Sequence, residues 1–167
     1  MMRAWMDWNS KSRRDYLETI LRLSPEDRRM NRGASWGSIQ DIFLHIIEDY
    51  IWWFENVPHG KGEDQFVALV GQEVDETKLR SLTFQVEDTV RKFMDSLTPE
   101  MIGHPYVVQG TSGDGKPYTM TTCPADIVWH MVEEQLQHIG ELNALFWQLN
   151  IDPHAHAWFR SKAAWTH

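Results

Sequence analysis

The chain has 167 residues, 42% hydrophobic and 24% charged, a balance that suits one folded domain and excludes a disordered chain. Sixteen Lys and Arg against 24 Asp and Glu leave a net charge of -8, which disfavours non-specific binding to nucleic acid or to an anionic membrane. The single cysteine, Cys123, excludes an internal disulfide and a Cys-rich zinc site.

Four segments carry helical periodicity. The first spans about 2–23, with Trp5, Trp8, Ser12, Tyr16, Ile20 and Leu23 recurring at steps of three and four; Ser24-Pro25-Glu26 breaks it, and 28–33 reads as a polar connection. The second opens at Ser35 or Ser38 as cap and runs to about Val57, where Pro58-His59-Gly60 stops it. It is apolar almost all round, which places it at the centre of a bundle or in an oligomer interface. His45, Glu48 and Asp49 interrupt its stretch 42–54, which falls short of the ~18–20 apolar residues of a membrane span. The third covers about 75–97, with Leu79, Leu82, Val86, Val90, Phe93 and Leu97 on one stripe before Thr98-Pro99. Between it and the fourth, 106–120 holds two extended runs around Gly110-Thr111-Ser112-Gly113-Asp114-Gly115, a hairpin or crossover loop. The glycines have P-loop spacing, but Pro117 stands where that motif needs Ser or Thr. The fourth helix opens near Cys123-Pro124 and runs to about Asn150. These elements predict an all-α domain, a four-helix bundle over 1–153, with 154–167 as a tail carrying His154, His156, Trp158 and Trp165. The opening residues lack the apolar core of a secretion signal, so a soluble cytoplasmic domain is expected.

The chemistry shows where the period is broken. On the fourth helix, Ile127, Met131, Glu134, His138, Leu142, Leu145 and Leu149 form one stripe, so Glu134 and His138 occupy positions that call for Leu or Ile. His45 repeats the anomaly among branched apolar neighbours on the second helix. Ionisable groups inside a bundle are costly unless paired or bound to metal. If the two helices face each other, His45, Glu134 and His138 form a metal site with open positions, suited to Zn, Ni, Mn or Fe; the plainer reading is a hydrogen-bonded His and an ion pair across one turn. His130, one turn before Glu134, is a spare candidate. Asp49, one turn after His45, can orient an imidazole, but a solvated helix face is the preferred reading.

Two stretches carry a family resemblance. Ser35-Trp36-Gly37-Ser38-Ile39-Gln40-Asp41-Ile42-Phe43-Leu44-His45-Ile46 resembles the second-helix signature of the DinB/YfiT-like metalloenzyme family. His130-Met131-Val132-Glu133-Glu134-Gln135-Leu136-Gln137-His138-Ile139-Gly140-Glu141-Leu142 resembles its fourth-helix signature. The resemblance implies a metal-binding four-helix bundle, commonly a homodimer, with one His ligand from the second helix and two from the fourth. His45 and His138 match the first and last positions; Glu134 replaces the middle His, and Ile139 replaces the usual Arg. Glu is a competent ligand that adds a negative charge, favours a harder metal and lowers the Lewis acidity of bound zinc.

Relatives of this kind use low-molecular-weight thiols such as bacillithiol or mycothiol. The resemblance therefore implies metal-dependent S-transfer to small electrophiles, in a pocket shaped by the 106–120 loop, Trp8, Trp36 and Trp53. Most of the nine Trp are nevertheless expected in core or dimer packing. The competing reading is a non-enzymatic stress-response or binding protein that keeps the bundle as a dimeric scaffold around a degenerate metal site.

Overall fold

A computed structural model describes residues 1–66 and 68–152; the expected tail, 154–167, lies outside them. The chain is mostly helical: α1 (Met2–Leu21), α2 (Pro25–Arg29), α3 (Ile39–Ile51), α4 (Glu76–Ser96) and α5 (Pro124–Gln148), with a small antiparallel sheet of β1 (Tyr106–Thr111) and β2 (Pro117–Thr122) between α4 and α5. Helix α1 neighbours α4 and α5, and α3 neighbours the same two. No helix among the described residues is long and apolar enough to cross a membrane.

Caps set the helix starts. The Ser38 hydroxyl accepts the Asp41 N–H (3.0 Å) at the head of α3, and the Asp75 carboxylate accepts the Lys78 N–H (2.7 Å) at the head of α4. At Ser24-Pro25-Glu26, expected as a break, the Ser24 hydroxyl accepts the Asp27 N–H and opens the short helix α2. In α3, Ile39, Ile42, Phe43, Leu44, Ile46, Ile47 and Tyr50 are all buried within a single chain, so its apolar girth is explained by the neighbouring helices.

One departure from the expected elements, and one element that takes the first of its two expected forms, bear on the site. The second expected helix is not uniform: α3 ends at Ile51 and the chain widens into a π-helical turn, Trp52–Asn56, then a 3-10 turn, Val57–His59. Such turns concentrate at functional sites, because they re-aim consecutive side chains. The 106–120 segment is a regular hairpin, with Tyr106 opposite Thr122 and Thr111 opposite Pro117, and Gly115 (φ 81°) supplies the left-handed residue of its turn.

Helix α1 is joined to both α3 and α5 by a buried polar network. The Arg13 guanidinium lies 4.1 Å from the centre of the Tyr50 ring and donates to Gln135 Oε1 (3.0 Å). The Tyr50 hydroxyl donates to the same oxygen (2.9 Å), and the Gln135 amide donates to the Asn9 carbonyl (2.9 Å). Among the described residues, Arg13, on the buried face of α1, has only neutral partners, the Gln135 and Ser10 oxygens and the Tyr50 ring, which do not cancel its charge, and its Nε is left without a partner.

Candidate metal centre

Helices α3 and α5 lie side by side and each offers a pair of polar residues one turn apart: His45 and Asp49 from α3, Glu134 and His138 from α5. One ligand atom from each of the four lies within 4.8 Å of all the others. His45 Nε2 stands 3.1 Å from Asp49 Oδ2 and 3.4 Å from Glu134 Oε1, and His138 Nε2 stands 2.9 Å from Glu134 Oε1. Donors bound at ~2.0–2.1 Å around one tetrahedral ion stand roughly 3.3–3.4 Å apart, so this spacing fits a single first-row divalent metal.

The distal ring nitrogens are also engaged. His138 Nδ1 lies 2.8 Å from Glu141 Oε2, and that oxygen accepts the Ser35 hydroxyl (2.8 Å). A carboxylate can only accept, so Nδ1 carries a proton and Nε2 points at Glu134, the orientation a metal-binding imidazole needs. His138 Nε2 thus stands beside the Glu134 carboxylate, where a cation can bind. A metal ion there satisfies Glu134 and His138 together. His45 Nδ1 faces Glu48 Oε2 at 3.9 Å, while Glu48 Oε1 accepts the N–H groups of Leu69 and Val70 and so ties a loop to the site. Trp36 stacks on the His45 ring (4.1 Å between centroids), and His45 meets His138 edge to face (4.7 Å).

Bringing these groups together shifts their titration. Burial, reinforced by the Glu134 charge and opposed by His45, pushes the Asp49 carboxyl up to about 7. Glu134 is held below the usual carboxylate range: burial works against this, and the hydrogen bond and charge of His138 outweigh it. For His45, burial disfavours the charged ring, but the neighbouring Glu48, Asp49 and Glu134 carboxylates raise its pKa overall. Burial first, and the Glu134 charge after it, thus disfavour the ionised form of Asp49. A divalent cation relieves that repulsion.

The expected residues are distributed as follows. His45, Glu134 and His138 meet, joined by Asp49, whose solvated-face reading is corrected: it turns inward and is mostly buried. Its signal was the one-turn spacing from His45, the same spacing that joins Glu134 to His138. Glu141 and Ser35 had no signal beyond proximity in sequence to His138 and to the α3 cap. His130 stays outside the cluster, with its ring against Trp53 at 4.7 Å. The cluster opens onto a cleft of about 340 Å³ lined by His45, Asp49, Trp52, Trp53, Glu63, Phe66, His130 and Glu134. Trp53 thus shapes the pocket as expected, whereas Trp8 is buried on α1 and is not part of the lining. The hairpin acts at one remove, because the Tyr118 hydroxyl accepts the Glu63 N–H (3.0 Å). Of the tryptophans in the described residues, Trp8 is buried, Trp5, Trp52 and Trp53 are partly buried against the core, and Trp36, Trp129 and Trp147 are exposed. Cys123 caps α5 and its thiol contacts Asp126 (3.1 Å), away from the cluster.

No curated protein matches the chain. The family model described as DinB family matches residues 1–159, which include both ligand-bearing helices and the loop between them. The chain belongs to the DinB family.

Proposed function

We propose that this protein binds one divalent metal ion through His45, Asp49, Glu134 and His138, in a DinB-type four-helix bundle whose 97–123 segment is the long crossover, and that it is a metal-dependent enzyme acting on a small molecule. The observation that carries the reading is the convergence of two imidazole Nε2 atoms and two carboxylates, with Glu141 fixing the outer nitrogen of His138. A divalent ion held there supplies Lewis acidity and favours the ionised form of a bound thiol or water.

The chain's own residues account for the remaining steps. Trp36 stacks on one face of His45 and holds the ring in place. Glu141, itself held by Ser35, keeps the proton of His138 on Nδ1. On the cleft wall, His130 and Glu63 are placed to accept or return a proton from a bound molecule. S-transfer from a low-molecular-weight thiol to an electrophile is the reaction class proposed first. Purified protein loaded in turn with Zn, Ni, Mn or Fe and supplied with a thiol and a chromogenic electrophile should turn over, and His45→Ala should not. Absence of turnover with every metal and thiol refutes the enzymatic reading.

The second reading, a dimeric scaffold, rests on one observation. Trp129, Leu136 and Trp147 lie exposed along one face of α5, an apolar stripe suited to a second copy. Sedimentation of the wild type beside Leu136→Glu tests it: a dimer that becomes a monomer in the variant supports it, and a monomeric wild type refutes it.

A further inference from the structure

The cleft above the cluster has a composition that selects its ligand. Trp52, Trp53 and Phe66 form its walls, with Trp52 and Phe66 edge to face at 5.9 Å. Apart from the two histidines, the ionisable side chains that line it are all acidic: Asp49, Glu63 and Glu134. Neither Lys nor Arg is among the lining residues. Glu63 makes no ion pair among the described residues, so its charge is uncancelled. A divalent ion offsets Asp49 and Glu134, and Glu63 still leaves the cleft negative.

Placement of this rim is built into the fold. The π-helical turn begins at Trp52 and turns two consecutive tryptophans toward the cleft. The 3-10 turn Glu63–Gln65 is clamped on the hairpin, where a Cβ added to Gly62 would stand 2.6 Å from Gly110 Cα and 2.8 Å from the Gln109 carbonyl. Only glycine permits that approach, and together with the Tyr118 hydroxyl it fixes Glu63 and Phe66 at the mouth.

Aromatic faces carry a negative quadrupole, and a carboxylate beside them completes a cation-binding surface. An anionic ligand would meet Glu63 at the mouth, with no Lys or Arg to offset it and only His45, His130 or a metal further in. We propose that the cleft takes a positively charged organic ligand, an amine or quaternary ammonium attached to a flat apolar group, which it presents to the metal cluster. This rests on the metal reading above only for what happens beyond the cleft; the charge preference belongs to the cleft itself.

Calorimetric titration of metal-free and Zn-loaded protein with benzyltrimethylammonium, benzyl alcohol and benzenesulfonate tests the proposal. Affinity should fall in that order in both forms. Glu63→Gln should weaken the ammonium roughly two- to five-fold and leave the alcohol unchanged. Phe66→Leu, which keeps an apolar wall, should weaken the ammonium more than the alcohol. Sulfonate binding as tight as ammonium binding, an unchanged ammonium affinity in Glu63→Gln, or no ammonium binding at millimolar concentration overturns the proposal. Metal content measured on the same samples separates the two claims. The predicted order in a protein that takes up no metal refutes the metal reading and supports the cleft. Bound zinc without that order overturns the cleft proposal alone.

Discussion

Replacing Asp49 by Asn should make the metal-free protein more stable and the metal weaker. The Asp49 carboxyl, 19% exposed, is pushed up to about 7 from an ordinary 3.8. The folded state therefore binds this proton more tightly than the unfolded chain does, and folding gains from acidification. Stability of the metal-free protein falls as pH rises from about 4 to about 7 and levels off above. At about 1.4 kcal/mol per unit, the ceiling is about 4 kcal/mol, and about 2 kcal/mol remains after screening by solvent in the cleft. His45, raised above 6.5, adds to the loss at the upper end of this window; Glu134, held low, acts in the opposite sense at more acidic pH. The Asn variant keeps the shape and removes the charge. Urea denaturation in chelator between pH 4.5 and 7.5 should show a falling stability for the wild type and a flatter profile for Asp49→Asn, higher by about 2 kcal/mol at pH 7. The same variant should bind zinc at least about tenfold more weakly. A variant less stable than wild type at pH 7, or one with the same pH slope, would refute the placement of Asp49 in a crowded acidic cluster.

Other perturbations test the surroundings. Glu141→Gln removes the carboxylate that orients His138 (2.8 Å) and should weaken metal binding about 10- to 100-fold while the fold persists; an unchanged Kd by competition with a chromogenic chelator contradicts that role. Gly62→Ala forces the hairpin off the Glu63–Gln65 turn and should cost about 1–3 kcal/mol with metal affinity retained, readable as a lower Tm beside an unchanged metal content. Gln135→Met strips the buried Arg13 guanidinium and the Tyr50 hydroxyl of their shared acceptor, and urea denaturation should show a loss of about 3–5 kcal/mol; a loss below about 1 kcal/mol would mean the network is not formed.

Much of this architecture is legible along the chain, for identifiable reasons. Helix α4 is read whole because Leu79, Leu82, Val86, Val90 and Phe93 keep one stripe between an Asp75 cap and Pro99. The hairpin is read because a glycine-rich turn separates two β-branched runs. His45, Glu134 and His138 stand out because each interrupts an apolar period. Asp49 does not, since one turn from His45 is equally the spacing of a solvated face, and only the proximity of α5 decides between them. The widening at Trp52 is hidden for a related reason: an apolar run reads the same in an α or a π turn. Arg13 gives no signal along the chain, because a cation on an amphipathic helix belongs on the wet face by default. Its burial depends on Tyr50 and Gln135, which lie on two other helices.

The central claim is that the four converging side chains hold a metal. Elemental analysis of untagged protein, wild type beside His138→Ala and Glu134→Gln, tests it most directly. About one equivalent of Zn, Ni, Mn or Fe in the wild type, lost in His138→Ala and diminished in Glu134→Gln while both stay folded, is the predicted result. Wild-type protein that carries no metal and takes up none when supplied with it would contradict the claim, and would leave Glu134 and His138 as a buried ion pair.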